Sequence, residues 1–439
     1  LFEGGGTWSK GIYRPVVNCR MRGNSPPFCP VCYTELKTKA EPYAEHTFEH
    51  VYAGDFDGDG KDDVLVHNGN SILIYRSDGS QLELAFSAVE RVPGPWQFKA
   101  ADRFHVGDFN GDGKDEVVVF NGSSWAIEYL GLLADDGAGG LRLIARYDNA
   151  LPNWEFRPHD RFHVADFDGN GKQDLFVCNG EDWAIPYVGL LRSSGSGFSL
   201  VKRYDGNLPG WQMKSEDVHR VGDFSGDGKD DLIVFNGGQW SIPYLGLLAS
   251  NGNSLSMSAR YDLTVDGWHM KPADRHHVGD FDGDGKADVY VFNGTGWSTA
   301  HLGMLRSTGT GLGMVRRYAG NAPGWQMRRN DRHWVAEVNR DGKADLFVYN
   351  STDWHTEYLG TMTSNGTALA CVHQQDWVGE WNLGSVDEFE PCDFEGAGGR
   401  RDLIVHNRDW LGMIRATPNL SLQRLYFRWI HNYRYGRNW

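Results

Sequence analysis

"VGDFDGDGKAD" occupies Val278–Asp288. Counted from Asp280, it has carboxylates at positions one, three, five and nine and glycines at four and six. One such stretch alone is an acidic turn or a cation loop. Read along the chain, it is the fifth of seven. The others are DFDGDGKDD (55–63), DFNGDGKDE (108–116), DFDGNGKQD (166–174), DFSGDGKDD (223–231), EVNRDGKAD (337–345) and a degenerate DFEGAGGRRD (393–402). Their starts lie 53, 58, 57, 57, 57 and 56 residues apart. Self-similarity at so fixed a period predicts a repeat architecture.

Each repeat reads as four short strands. In the second, Phe104–Phe109 is strand one and the acidic loop follows it. Val117–Asn121 is strand two, Asn121-Gly122 marks a tight turn, Trp125–Leu133 is strand three, and Leu141–Tyr147 is strand four. No helical period competes. Four strands per repeat predict an all-β chain: a seven-bladed β-propeller over residues 46–439, with an irregular N-terminal extension over 1–45. The seventh repeat supplies its own strands at Asp402–His406, Trp410–Ala416 and Leu422–Ile430. The ring is therefore expected to close by docking, with Tyr435–Trp439 beside Tyr43.

Composition narrows the function classes. The 439 residues include 56 Gly and 17 Trp and carry a net charge of −15. No basic stripe appears, which argues against nucleic acid. No apolar run approaches the ~18 residues of a membrane span. Six cysteines do not make a disulfide scaffold. Cys371 and Cys392 could pair, and Cys19, Cys29 and Cys32 cluster. Cys178 stands where four sister repeats carry Phe or Tyr, so it reads as a buried free thiol. His105, His163 and His277, on strand one, read as packing residues. Asn-x-Ser/Thr sequons at Asn121, Asn293, Asn350, Asn365 and Asn419 are explained by turn chemistry.

The acidic loops have the oxygen pattern of calcium sites. Glycine at six permits the sharp turn, and calcium takes about six to eight hard oxygens. Strands flank the loops where an EF-hand has helices. The candidate ligands are Asp55, Asp57, Asp59 and Asp63; Asp108, Asn110, Asp112 and Glu116; Asp166, Asp168, Asn170 and Asp174; Asp223, Ser225, Asp227 and Asp231; Asp280, Asp282, Asp284 and Asp288; and Glu337, Asn339, Asp341 and Asp345. About six Ca²⁺ ions are expected, with the seventh loop empty because Ala397 replaces the fifth ligand. Bare carboxylates crowded in one hairpin repel one another, so stability should depend on calcium.

Strand order puts the acidic loops and the strand three-to-four loops on one face. The two-to-three turns and the interblade linkers fall on the other, and both carry tryptophan in register. Trp125, Trp183, Trp240, Trp297, Trp354 and Trp410 fall 17 residues after the first loop position. Trp96, Trp154, Trp211, Trp268, Trp325 and Trp381 fall 12 before it. Indoles beside Arg, Lys, Asp and His suit a sugar, whose apolar face stacks while polar groups read its hydroxyls. The competing expectation is that these indoles are interblade core. Glycan or an extracellular surface protein is the expected partner, and self-assembly through the same face is the alternative.

Two resemblances follow from these residues. The strand-framed loop resembles the FG-GAP repeats of integrin α-subunit propellers. GWQMKSEDVHRVGDFSGDGKDDLIVF (210–235) is similar to the repeats of PVL-like lectins. They imply a secreted, calcium-binding propeller that acts in binding or adhesion. The stretch LFEGGGTWSKGIYRPVVNCRMRGNSPPFCPVC (1–32) resembles the C-terminal end of the catalytic domain of the IgA-peptidase family of zinc metalloendopeptidases. That resemblance implies that Met21 is a Met-turn residue and that the chain is the tail of a larger product. No H-E-x-x-H occurs in these residues, so catalysis by this chain alone is not expected. His46-Thr-Phe-Glu49-His50 matches H-x-x-E-H, but it runs into a strand, where its two imidazoles cannot share a helix face.

Overall fold

The computed structural model describes residues 2–3, 13–14 and 50–429, except 90–95, 124, 183, 351–356, 379–380, 385, 397, 399–401, 408–409 and 418–419. Two compact units divide the chain: Leu1–Thr47 with Ile430–Trp439, and Phe48–Trp429. In the first, the strands Phe2–Glu3 and Tyr13–Arg14 pair antiparallel. The rest of the peptidase-like segment, including Met21, as well as Tyr43 and the tail Tyr435–Trp439, lie outside the described residues.

The second unit is a seven-bladed β-propeller, and no helix occurs among its described residues. Each blade is an antiparallel meander of four consecutive strands. Blade 2 is typical: Arg103–Gly107, Glu116–Asn121, Tyr129–Asp135 and Leu141–Asp148. Strand one of each blade lies beside strand one of its neighbours, and that of blade 7 (Glu388–Cys392) lies beside that of blade 1 (His50–Gly54). Blade 7 supplies all four of its own strands through Leu422–Trp429. The ring thus closes by docking, without strand exchange.

Sequence explains the stacking. Strand two is a run of β-branched, aliphatic and aromatic residues such as EVVVFN and DLIVFN, buried on both sides. Such runs belong to strands covered on two faces, here by the blades before and after. Each core therefore straddles a seam: Phe56, Leu65 and Ile74 of blade 1 pack with Val117, Val119 and Leu133 of blade 2. The second residue of each loop is buried: Phe56, Phe109, Phe167, Phe224, Phe281 and Phe394, and Val338 in the sixth.

A chain of ring contacts crosses the seams nearer the axis. The fifth residue of strand two meets the second residue of the next strand one: His67–Phe104 at 4.6 Å, Phe120–Phe162 at 4.9 Å, Phe235–His276 and Phe292–His333 at 4.5 Å, and Tyr349–Phe389 at 4.9 Å. Burial, with Arg220 and His277 adjacent, lowers His276 to about 3. An unfolded histidine titrates near ~6.5. The unfolded chain therefore binds the extra proton, and stability is lost as pH falls from about 6.5 towards 3. His276→Phe copies the sister seams at Phe104 and Phe162. It should lose less melting temperature than the parent between pH 7 and pH 4 in parallel thermal scans; an equal loss would show that His276 does not contribute to the acid limb.

Candidate functional site

In the acidic loops, backbone geometry and side-chain chemistry fit together. Asp280 Oδ1 accepts the Gly283 N–H at 2.7 Å, and Oδ2 accepts the Gly285 N–H at 2.8 Å. Both glycines have positive φ, 76° and 85°, which a Cβ would oppose. The ninth residue, Asp288, is buried: Oδ1 accepts the Ser307 N–H (2.8 Å) and Oδ2 the Phe281 N–H (3.2 Å). The other blades repeat this pattern with small changes. Asp55, Asp57 and Asp63 bring one oxygen each within 4.8 Å of one another, as do Asp166, Asp168 and Asp174, and Asp280, Asp282 and Asp288. Calcium–oxygen bonds of about 2.3–2.6 Å put opposite ligands about 4.6–5.2 Å apart, so these clusters fit that ion. Burial and neighbouring carboxylates push Glu116, Asp174, Asp288 and Asp345 up to about 7, and Asp63 and Asp231 to about 6. A bound dication would relieve that repulsion.

Not every candidate ligand joins a cluster. At position five, Asp59, Asp227, Asp284 and Asp341 pair with the lysine two residues on, and Asn170 accepts the Lys172 N–H. Asp112 accepts the Lys114 N–H at 2.9 Å. At position three, Asn110 Nδ2 donates to Glu116, Ser225 Oγ donates to Asp223 Oδ1 at 3.2 Å, and Asn339 Oδ1 accepts the Asp341 N–H. Glu337 Oε1 accepts that same amide. In the seventh loop Asp393 keeps the amide wrap, accepting the Gly398 N–H, but Ala397 lies outside the described residues.

A charge rule runs through the ring that the loops alone did not reveal. Where position three is acidic, the residue before the end of strand three is arginine, and the two pair: Arg76–Asp57 (3.8 Å), Arg192–Asp168 (2.5 Å), Arg306–Asp282 and Arg415–Glu395. Where position three is Asn110, Ser225 or Asn339, that strand residue is Ala134, Ala249 or Thr363. The extra carboxylate in blades 1, 3, 5 and 7 is thus matched by an internal cation.

On the opposite face, the two tryptophan series separate. Trp96, Trp154, Trp211, Trp268 and Trp325 are buried wedges, at most 4% exposed. Each lies over a strand-three glycine of its blade; a Cβ at Gly303 would meet the Trp268 ring at 2.6 Å. Asp217, Asp274 and Asp331 accept the Nε1–H of Trp211, Trp268 and Trp325 at 2.8 Å. The same aspartates accept the side-chain amides of Asn236, Asn293 and Asn350. Those asparagines are buried, as is Asn121, so three of the sequons are enclosed structural groups.

The second series is more open: Trp125 is 38% exposed, and Trp240 and Trp297 are half-buried. Trp183, Trp354 and the side chain of Trp381 lie outside the described residues. The expected start of strand three at Trp125 is corrected to Tyr129, because residues 125–128 lie in the turn that carries the indole. The turn of blade 7 is shorter. Trp410 therefore sits within strand three, opposite Asn407, in the register of Tyr129.

Between the two series lie pockets that the tryptophans alone did not delimit. Trp96, Gln97, Trp125, Tyr129 and Arg146 line a cavity of about 180 Å³ in blade 2. In blade 6, Trp325, Gln326, Tyr358 and Gln374 line one of about 170 Å³ at the same registers. Arginines stack on the strand-three aromatic: Arg146 on Tyr129 at 4.4 Å, Arg203 on Tyr187 at 4.2 Å and Arg260 on Tyr244 at 4.7 Å. Each then pairs with an aspartate two residues on. Lys99, Lys214 and Lys271 lie over Trp125, Trp240 and Trp297. The recurring Y-[LV]-G and R-Y-D strings were the available signal in the sequence.

Two other expectations are settled. Cys178 is a buried free thiol. Cys371 is also free, its Sγ donating to the His373 carbonyl at 3.1 Å, so it is not bridged to Cys392.

Comparison with known proteins agrees with this architecture. A family model described as an FG-GAP-like repeat matches residues 55–119, 166–234 and 223–291, so the chain carries FG-GAP-like repeats. No curated protein matches it. Among solved structures, an Agrocybe aegerita lectin that recognises non-reducing terminal N-acetylglucosamine is similar at 16% identity. Its TM-score is 0.52, over 75% of this chain and 80% of that one. The periplasmic gluconolactonase PpgL of Pseudomonas aeruginosa is similar at 16% identity and TM-score 0.50, over 86% and 96%. At such identities the likeness concerns the fold. An FG-GAP-repeat propeller of this kind fits a binding module, and no helix among the described residues is long and apolar enough to cross a membrane.

The charge rule yields a test. Arg306→Ala leaves Asp280, Asp282 and Asp288 unshielded. In chelator it should cost about 1 kcal/mol, discounted for partial exposure of the guanidinium. Saturating calcium should recover most of that loss. An equal loss with and without calcium would show that Arg306 does not stand in for a cation.

Proposed function

We propose that this chain is a secreted, calcium-stabilised propeller that binds glycans through the face opposite its acidic loops. The observation that carries the proposal is the repeated pocket. A buried indole edge, a strand-three aromatic and an arginine or glutamine recur at equivalent registers in blades 2 and 6. In blades 3, 4 and 5 the arginine register holds Arg203, Arg260 and Arg317.

The pocket chemistry suits a sugar. A half-exposed ring offers a stacking surface for the C–H face of a pyranose, and Gln97, Arg146 and Asp148 offer donors and acceptors for hydroxyls. A cavity of about 180 Å³ is smaller than drug-sized sites of about 300–1,000 Å³, so it takes one monosaccharide-sized group. Several weak sites on one rigid face gain strength by avidity on a clustered glycan. The lectin neighbour shares the fold, and its recognition of terminal N-acetylglucosamine makes amino sugars the first to try.

Calcium's part here is structural. Positions one, three and nine would hold it, and the ion would supply the charge that lets each hairpin keep its carboxylates together. Chelation should lower the melting temperature by several degrees and calcium should restore it; an unchanged value rejects the calcium role. For ligand, the calcium-loaded protein should bind clustered glycans on an array. Tyr129→Ala should weaken that binding about twofold or less, because the other pockets remain, while alanine at Tyr129, Tyr187, Tyr244 and Tyr358 together should abolish it. Binding to no sugar at all would defeat the glycan reading.

A further inference from the structure

The chain of ring contacts across the seams breaks twice: between blades 7 and 1, where Val51 stands at the second position of strand one, and between blades 3 and 4. At the latter seam the fifth residue of strand two is Cys178, and the second residue of the next strand one is His219. A thiol thus stands where Phe120, Phe235 and Phe292 stand at other seams. His163, on strand one of blade 3, completes the group, its ring 6.0 Å from that of His219. One ligand atom from each of His163, Cys178 and His219 lies within 4.8 Å of the other two. His219 is 4% exposed, and neither ring nitrogen has a hydrogen-bond partner. At the two following seams His276 and His333 also lack partners, but each faces a phenyl ring there. Only at this seam, among those described, does the buried imidazole face a sulfur.

We propose that His163, Cys178 and His219 form a site for one borderline-soft divalent metal ion, of which zinc is the representative. A thiolate with two imidazoles selects zinc-like ions over calcium, which prefers hard oxygens. Zn–S and Zn–N bonds of about 2.3 and 2.0–2.1 Å in a tetrahedron put the donor atoms about 3.3–3.6 Å apart, so small side-chain rotations close the site. On binding, the thiol proton leaves to solvent and sulfur donates its electron pair to the metal. The fourth position is left for water, and a small cavity lined by Asn179, Met213 and Asp217 borders the site. Arg161 and Arg220 lie nearby and oppose a dication. The Arg161 guanidinium donates to the Asp217 carbonyl and also to the Cys178 sulfur, a contact a metal ion would have to displace, and that of Arg220 is turned to the His219 and His276 carbonyls. Binding is therefore weaker than in a closed four-ligand zinc site.

The site is separate from the acidic loops and independent of any glycan. The test uses the full chain, stripped of metal, saturated with calcium and titrated with Co²⁺. The expected result is a thiolate-to-cobalt charge-transfer band that saturates at one equivalent and is displaced by Zn²⁺. Cys178→Phe restores the phenyl–imidazole pair of the two following seams, and His219→Phe places the phenyl ring that Phe104 and Phe162 supply at the same strand position in blades 2 and 3; circular dichroism checks that both fold. Loss of the band in both variants supports the site. No Cys178-dependent band in the parent, or a band that persists in either folded variant, overturns it.

Discussion

One hydrogen bond, repeated round the ring, holds the propeller together on its loop face. In blades 1 to 6 the backbone N–H at loop position eight donates to the carbonyl of loop position one of the blade before it. Asp115 donates to Asp55 at 2.7 Å, Gln173 to Asp108 at 2.8 Å, Asp230 to Asp166 at 2.8 Å, Ala287 to Asp223 at 2.8 Å and Ala344 to Asp280 at 2.6 Å. Asp62 of blade 1 donates to Asp393 of blade 7 at 2.8 Å. Where position eight is aspartate, its carboxylate returns the bond, as from Asp393 N to Asp62 Oδ2 at 2.7 Å. Since no strand is exchanged, this clasp and the seam cores carry the closure. It works only if each loop holds its shape, and the loop's shape rests on the carboxylate at position one and the two glycines.

That constraint divides labour between the faces. The acidic loops commit nearly every polar group to the clasp, to their own amides or to a cation. Strand-three serines extend the tie: Ser250 Oγ donates to the Phe167 carbonyl and Ser307 Oγ to that of Phe224. The opposite face is built differently. Tryptophan, aspartate and asparagine form a buried network that fixes the linker against the two-to-three turn. With the indoles of Trp211, Trp268 and Trp325 and the amides of Asn236, Asn293 and Asn350 all bonded to its aspartates, that network works as scaffold. It leaves the Tyr, Arg and Gln side chains of strands three and four as the accessible chemistry.

Much of this was legible in the sequence because repetition multiplies a weak signal. One DFDGDGKAD is ambiguous, but seven in register fix blade number, strand order and face. The expected strand one of blade 2 differs from the observed one by one or two residues at each end. What failed to show was whatever depends on neighbours across a seam or strand. Trp96 and Trp125 share a residue type and a fixed register, yet one is core and the other half-exposed. The difference lies in Gly131, whose missing side chain admits the first ring. Trp410 opens strand three as its own repeat indicated, but a fixed count from the loop also grouped it with the turn indoles, because that count ignores the shorter turn of blade 7. The arginine–carboxylate rule was present in the letters, in Arg76, Arg192, Arg306 and Arg415, but nothing in one repeat says that a strand-three side chain reaches the loop.

The proposal on which ring closure turns is that the acidic loops are cation-held pins. Bound calcium per chain, counted by atomic emission after equilibrium dialysis at saturating free calcium, tests it most directly. Six ions are expected, one for each loop from Asp55–Asp63 to Glu337–Asp345. A count indistinguishable from zero would contradict the proposal.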